Sequence, residues 1–357
     1  MIHFNYPSRW YSSIRDELEH ILNDVYSNDC VFEGPVCKQV EDLLKLRFSR
    51  KHAFLVSNGT SAIQLMLMVN DVSPSDKIAV INYSCPATVM PIKVSGAVPV
   101  FCDIDMHGQQ SFKNLKNTKI KCILATGLYG DCYDHDAIKN LGVPILNDSA
   151  QSYGAKYKGQ ESVSLGDVSI LSFALNKPCP TFGTYGAILC DDDNMANRIL
   201  AMRRTGYRAG QPITEVGINA QPQEDKAAQV LVSLKHMDSW YNRRKKISEY
   251  YDNRLQGIDK RSSPDYSETN YHKYCIFVQN KLKFASTMAK SGVECHLHYT
   301  YNFAKTDVLQ SSVWIDGNFS NTEFFVEHAI NLPLNPWLSD AEVEMVADKV
   351  RGNYFTQ

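Results

Sequence analysis

Seven short apolar runs recur through the first 190 residues: AFLV (53–56), IAVI (78–81), VPVF (98–101), CILA (122–125), VPIL (143–146), VSILSF (168–173) and GAILC (186–190). Each has the length of a strand, is rich in β-branched or aromatic side chains, and gives way to a turn or a helix start. Near-continuous apolar strands alternating with helical patterns predict a mostly parallel sheet covered on both faces. This α/β region is expected to form a large domain over residues 1–240. The stretch 224–255 keeps apolar residues at three- and four-residue spacing with basic residues between them, which predicts one long helix. Beyond it come YCIFV (274–278), the helical FASTMAKSG (284–292), a polar loop around His298, and the helical SDAEVEMVADKVR (339–351). Residues 241–357 therefore read as a smaller C-terminal α+β domain.

A chain of 357 residues can bury a core large enough for two such domains. The net charge of −2 leaves no electrostatic footprint for nucleic acid or an anionic membrane, so neither is an expected partner. No apolar stretch approaches the roughly 18 residues of a membrane span. The segment MIHFNYPSRWYSSIRDELEH lacks the basic, apolar and small-residue succession of a secretory signal, and a cytoplasmic location is expected. Ten cysteines are scattered without a CxxC pair, and Cys102, Cys122, Cys190 and Cys275 sit inside apolar runs. Reduced, buried thiols account for them more simply than disulfides.

In an α/β sheet, ligands gather beyond the carboxyl ends of the strands, so the polar residues that follow the apolar runs are the candidates. Asn58-Gly59-Thr60 follows the first run and opens the helical SAIQLMLMV. It is a glycosylation sequon, but so are Asn82-Tyr83-Ser84, Asn147-Asp148-Ser149 and Asn318-Phe319-Ser320, so the pattern arises here by chance. It also suits a simple N-cap, or a helix N-terminus whose amides hold a phosphate. Asp148 follows VPIL, where a carboxylate caps a helix or pairs with a cationic ring nitrogen. Lys177 follows VSILSF, as a solvated surface lysine or as an amine that desolvation makes nucleophilic. Taken together, a phosphate-gripping turn, a strand-end Asp and a strand-end Lys fit one cofactor, pyridoxal 5′-phosphate. Cys295-His296-Leu297-His298 clusters three possible metal ligands, yet no fourth stands nearby at zinc-like spacing and no metal is expected. No GxGxxG turn supports a nicotinamide cofactor.

Further segments carry a resemblance. SNGTSAI (57–63), VPVFCDID (98–105), GLYGDCYDHDAI (127–138), NDSAQSYGAKYKGQ (147–160), SFALNK (172–177), GINAQPQEDKAA (217–228), HLHY (296–299) and NLPLNPWLSDAEVEMV (331–346) occur in order across nearly the whole chain. Together they resemble the DegT/DnrJ/EryC1/StrS family of pyridoxal-phosphate-dependent sugar aminotransferases. That resemblance implies an aspartate-aminotransferase-like fold (fold type I), with a large domain built on a mostly parallel seven-stranded sheet. It implies that Lys177 is the catalytic, Schiff-base lysine and that Asp148 pairs with the pyridine nitrogen. Gln151 would lie near the ring 3-oxygen, and Gly59, Thr60 and Ser172 would hold the phosphate. Asn219 would reach the phosphate from the other subunit of a homodimer with shared active sites. His298 and Tyr299 would stand near the entrance of a sugar nucleotide.

Three segments depart from the family pattern. In INYSCPAT (81–88), where a ring-stacking aromatic is expected, Cys85 holds that place and Tyr83 is the alternative ring. Gln221 stands where the family has Arg. The loop after the lysine reads Gly183-Thr184-Tyr185-Gly186, which makes Tyr185 a candidate substrate contact. A branch of the family that eliminates a sugar hydroxyl carries His at the lysine position, so Lys177 favours transamination. The implied reaction takes the amine from L-glutamate to a keto sugar, foremost a nucleotide-linked 3- or 4-keto-6-deoxy sugar for surface polysaccharide or lipopolysaccharide O-antigen. Alternatives are a keto sugar acid or cyclitol as acceptor, and, in a different class, a non-catalytic regulator that binds the cofactor.

Overall fold

A computed structural model describes residues 1–113, 115, 118–310, 312–314 and 318–354. The chain opens with helices α1 (Pro7–Ser27) and α2 (Pro35–Phe48), each with proline in its first turn, where a missing N–H leaves no bond unmade. The α/β region follows as β1 (His52–Val56), α3 (Gly59–Val69), β2 (Lys77–Ile81), α4 (Pro86–Val94), β3 (Val98–Cys102), β4 (Cys122–Thr126) and β5 (Ile145–Asp148). After the small hairpin β6 (Lys156–Tyr157) and β7 (Gln160–Glu161) come β8 (Val168–Ser172), β9 (Gly186–Cys190), α5 (Asp193–Met202) and α6 (Glu224–Arg254). The chain ends with β10 (Ser267–Glu268), β11 (Tyr274–Phe277), α7 (Lys281–Lys290), β12 (Val313–Trp314), α8 (Ser320–His328), β13 (Ala329–Leu332) and α9 (Asp340–Tyr354).

The main sheet has the order β1-β9-β8-β5-β4-β2-β3-β12. It is parallel except at β9, which runs antiparallel to both β1 and β8. Seven of its strands fall on the seven apolar runs. The eighth, β12, pairs parallel with β3 over two residues, too short to leave a pattern in the sequence. Along β1, Phe54 and Val56 enter the core beneath α3–α5, while Ala53 and Leu55 enter the one beneath α2 and α6. Both faces are therefore apolar, which is why the strands read as continuous hydrophobic runs.

The smaller lobe packs the antiparallel β11–β13 pair against α7 and α9, and its core takes Ile247 and Tyr251 from α6 and Ile2 and Tyr6 from the N-terminus. Helix α6 runs unbroken from one lobe into the other, so residue 240 lies mid-helix. Among the described residues, no helix is long and apolar enough to cross a membrane. None of the ten cysteines, all described, is joined in a disulfide.

Candidate active site

The carboxyl ends of β1, β4, β5 and β8 lie on one edge of the sheet, and a cavity of about 230 Å³ opens there. Asn58 and the start of α3 form one wall. Asn58 caps α3, its Oδ1 accepting the Ser61 N–H at 2.8 Å, so its side chain serves the helix. Asn82 and Asn147, the acceptors of two other sequons, are fully enclosed. Gly59 and Thr60 line the cavity at the helix N-terminus, where amides favour an anion. Absence of a side chain at Gly59 matters, because a Cβ there would stand 3.0 Å from the Ser172 Cβ.

Asp148, the last residue of β5, is 3% exposed. Thr88 Oγ1 donates to its Oδ2 at 2.9 Å and the Ala150 N–H to its Oδ1 at 3.1 Å. Burial pushes its carboxyl above the usual range, against the opposing effects of Ala150, Lys177 and Thr88. A cationic group in the cavity would favour the carboxylate form. Lys177 also lines the cavity, and burial lowers its amine below the ordinary lysine range, with Cys85 and Asp148 acting in the other direction. Its Nζ forms no hydrogen bond or ion pair among the described residues. Gln151 holds its place through the Tyr129 N–H, which donates to its Oε1 at 3.2 Å, and donates from Nε2 to the Tyr299 hydroxyl at 3.0 Å.

His298 and Tyr299 close the far side of the cavity. Burial pushes the His298 imidazole down to about 2, and its Nδ1 is enclosed without a partner. Ser172 and Cys85 also line the space. Tyr83 does not. Its ring is wholly enclosed, and its hydroxyl donates to the His298 carbonyl at 2.6 Å and accepts the Tyr299 N–H at 2.6 Å. The alternative ring of the 81–88 segment is thus a support behind the wall, and Cys85 is the residue of that segment that meets the cavity. Tyr185 is enclosed as well, its hydroxyl donating to the Gln223 carbonyl at 3.0 Å, and its neighbour Thr184 takes the lining position instead. A substrate contact at Tyr185 is therefore corrected, because β9 turns that ring into the α2–α6 core. Asn219 is exposed and lies outside the lining of this chain's cavity.

Sequence reasoning passed over Thr88, which sits inside the singled-out 81–88 segment. Nothing local announces its contact with a carboxylate 60 positions away. Among the described residues, no group of three or more His, Cys, Asp or Glu could hold a metal ion. His296 stacks on Phe4 with centroids 3.8 Å apart, and His298 faces the cavity.

A helix N-terminus with a close-packed glycine, a buried carboxylate lacking a cation and an amine lacking an acceptor surround one space at the strand ends. This donor set fits pyridoxal 5′-phosphate, which presents a phosphate, a basic ring nitrogen and an aldehyde. The fold and site define a fold type I pyridoxal-phosphate-dependent transferase.

The profile of the DegT/DnrJ/EryC1/StrS aminotransferase family matches residues 12–351. The chain belongs to that family and is a pyridoxal-phosphate-dependent aminotransferase. It is similar to the UDP-2-acetamido-2-deoxy-3-oxo-D-glucuronate aminotransferase of Pseudomonas aeruginosa, with 28% identity over 97% of this chain and 98% of that one. It is also similar to the dTDP-3-amino-3,4,6-trideoxy-alpha-D-glucose transaminase of Streptomyces venezuelae, with 25% identity over 96% and 93%. In fold it matches a DegT/DnrJ/EryC1/StrS aminotransferase from Brucella abortus at a TM-score of 0.94, with 22% identity over 99% of this chain and all of that one. Solved structures with this fold include pyridoxal and pyridoxamine phosphate forms.

Proposed function

We propose that this aminotransferase moves the amino group of L-glutamate to a nucleotide-linked keto sugar, the 3- or 4-keto carbon being the acceptor, in amino-sugar biosynthesis for surface polysaccharide. The observation that carries the reading is that Lys177 and Asp148 line one cavity together with the Gly59–Thr60 helix start. When bound, pyridoxal phosphate supplies the carbonyl that takes up the amine and the ring that disperses the developing negative charge. In this reading Asp148 holds the proton on the ring nitrogen, and its carboxylate is kept in place by Thr88 and the Ala150 amide. Gly59, Thr60 and Ser172 hold the phosphate, and Gln151 orients the ring through its 3-oxygen. Lys177 would take the substrate Cα proton on Nζ and hold it for return; a depressed amine pKa suits it to that task.

The sugar and its nucleotide enter past His298 and Tyr299. The relatives' names support a nucleotide-linked acceptor, since they specify UDP- and dTDP-sugars. A homodimer with shared sites completes the reading, with Asn219 reaching the partner's phosphate. The exposure of Asn219 supports it, as do the apolar Val31, Phe32, Phe182, Ile213 and Val216, which lie open on the single chain. The regulator alternative is not favoured, because Lys177 and Asp148 are both present and face the same space.

Adding L-glutamate to holoenzyme is expected to bleach an absorbance near ~420 nm, raise one near ~330 nm and release 2-oxoglutarate. A panel of UDP- and dTDP-linked 3-keto and 4-keto sugars then identifies the acceptor by return of the first band. Lys177→Ala is expected to lose both the first band and turnover. A wild-type holoenzyme that glutamate leaves spectrally unchanged would overturn the proposal.

A further inference from the structure

One cation beside the site, Lys273, has no anionic partner among the described residues. Lys273 immediately precedes β11, its backbone N–H donating to the Tyr129 carbonyl at 3.3 Å. Its Nζ lies 4.6 Å from the centroid of the Phe4 ring. The same ring stacks on His296 and stands 6.0 Å from His298, which lines the cavity. Lys273 thus belongs to the layer behind the His298 wall, where among the described residues Lys177 is the charged group that acts on it.

Among the described residues no carboxylate is paired with that charge. Glu294, the acid that meets Phe4 and His296, accepts from the Phe4 N–H at 3.0 Å and contacts His296 and His3. Asp148 acts on Lys177, not on Lys273. His272, next in the chain, is 5% exposed with Nε2 unpartnered, and it feels Lys273, Lys177, Arg244 and His298 together. Arg244 is 4% exposed and its Nε is also unpartnered. Withdrawal from water pushes the Lys273 amine down to about 7, and an anion beside it would favour the charged form. Lys273 is half-buried; cations drawn out of water are ordinarily paired, and the face of Phe4 is a weak substitute for an anion. The phosphate already has its own seat at the start of α3. What the Lys273 side lacks is a smaller anion, arriving with substrate.

We propose that Lys273 is a substrate-binding residue that receives a carboxylate, seating it beside His298 and behind the reacting carbon. This rests on the aminotransferase reading above. Two partners bring a carboxylate to such a site: the amino-acid donor, and a keto sugar oxidised at C6 to a uronate. Both meet the same ammonium because they occupy the site in turn.

The test compares wild-type, K273M and K273R holoenzymes in separate half-reactions. L-glutamate is followed by loss of the cofactor band. The pyridoxamine form is then reacted with 2-oxoglutarate, or with two UDP-linked 3-keto sugars that differ only in a carboxylate or a hydroxymethyl at C6. K273M is expected to raise the half-saturating concentration of at least one carboxylate-bearing partner about tenfold or more, with a smaller change in limiting rate, and K273R to recover most of it. A defect confined to glutamate and 2-oxoglutarate assigns the donor; one confined to the uronate assigns the acceptor. Half-saturation within about twofold of wild type for every partner overturns the proposal.

Should K273M fail to load cofactor, the wild-type enzyme decides. Glutarate is expected to perturb the cofactor band at about tenfold lower concentration than the uncharged glutaramide, and equal potency overturns the proposal. This comparison needs no turnover. An enzyme inert to glutamate yet selective for glutarate would refute the aminotransferase reading while leaving the carboxylate seat standing.

Discussion

The Tyr83 hydroxyl accepts the backbone N–H of Tyr299 at 2.6 Å, across 216 positions of sequence. The same oxygen donates to the His298 carbonyl, so one buried phenol fixes two cavity-lining residues from behind. Tyr83→Phe keeps the ring and leaves the Tyr299 N–H without a partner, which costs about 1–3 kcal/mol in an enclosed place. The cofactor band is expected to persist in this variant while the half-saturating concentration of the sugar substrate rises about tenfold. A role in ring stacking would give the opposite pattern, with Tyr83→Phe silent and Tyr83→Leu losing cofactor.

The parts of this molecule that the sequence exposed share one property: their cause is local. Strands buried on both faces are apolar residue after residue, so seven of the eight main-sheet strands stood out, and Asp148 and Lys177 were found because each follows such a strand. The Gly59 turn showed itself through the same logic. Direction was harder. Tyr83 and Tyr185 lie in segments that do flank the cavity, but sequence does not say which way a ring turns, and both turn into the protein. Thr88 and Lys273 owe their positions to partners far along the chain, Asp148 and Phe4. The two-residue strands β6, β7, β10 and β12 are too short to display any period.

Gly186 gives a steric handle on the phosphate turn. A Cβ at this position would stand 2.7 Å from the Asn58 carbonyl carbon and 2.9 Å from the Gly59 nitrogen, both backbone atoms with little freedom to yield. Gly186→Ala therefore pushes the start of α3 away from β9, and overpacking of this kind costs about 1–3 kcal/mol. Part of that cost is expected as an affinity for pyridoxal phosphate reduced roughly tenfold, measured by titrating apoprotein and following the band at saturation. Gly352→Ala, in α9 with nothing within 4 Å, is the control and is expected to bind cofactor as wild type does.

Glu161 links pH to the loop that carries Gln151. Its Oε1 accepts the Gly154 N–H at 2.8 Å, and burial raises its carboxyl from 4.5 to about 7. Between those values the folded chain holds a proton that the unfolded chain has released. The associated stability is present in full below pH 4.5 and is lost as pH rises through about 7. Glu161→Gln keeps the acceptor and removes the titration. Chemical denaturation at about pH 4 and about pH 8, on either side of these values, is expected to show the variant gaining on wild type at the higher pH. A constant difference between the two pH values would mean that Glu161 does not titrate in this window.

Asp148 and Thr88 should separate by degree. Asp148→Asn keeps the size of the side chain and its contact with the Ala150 N–H, but cannot hold a proton on the ring nitrogen by charge. Cofactor is expected to bind, and turnover with glutamate to fall by at least about two orders of magnitude, the lower end for loss of a positioned proton-transfer partner. Thr88→Val removes only the 2.9 Å hydrogen bond to Oδ2, leaving the buried carboxylate less well stabilised. Its carboxyl moves further up, the ring proton is held less firmly, and a loss of about tenfold is expected from one hydrogen bond to a charged group. The two losses act through one carboxylate, so the double variant is expected to be no worse than Asp148→Asn alone. Additive losses would place Thr88 in a separate role and remove it from the support of Asp148.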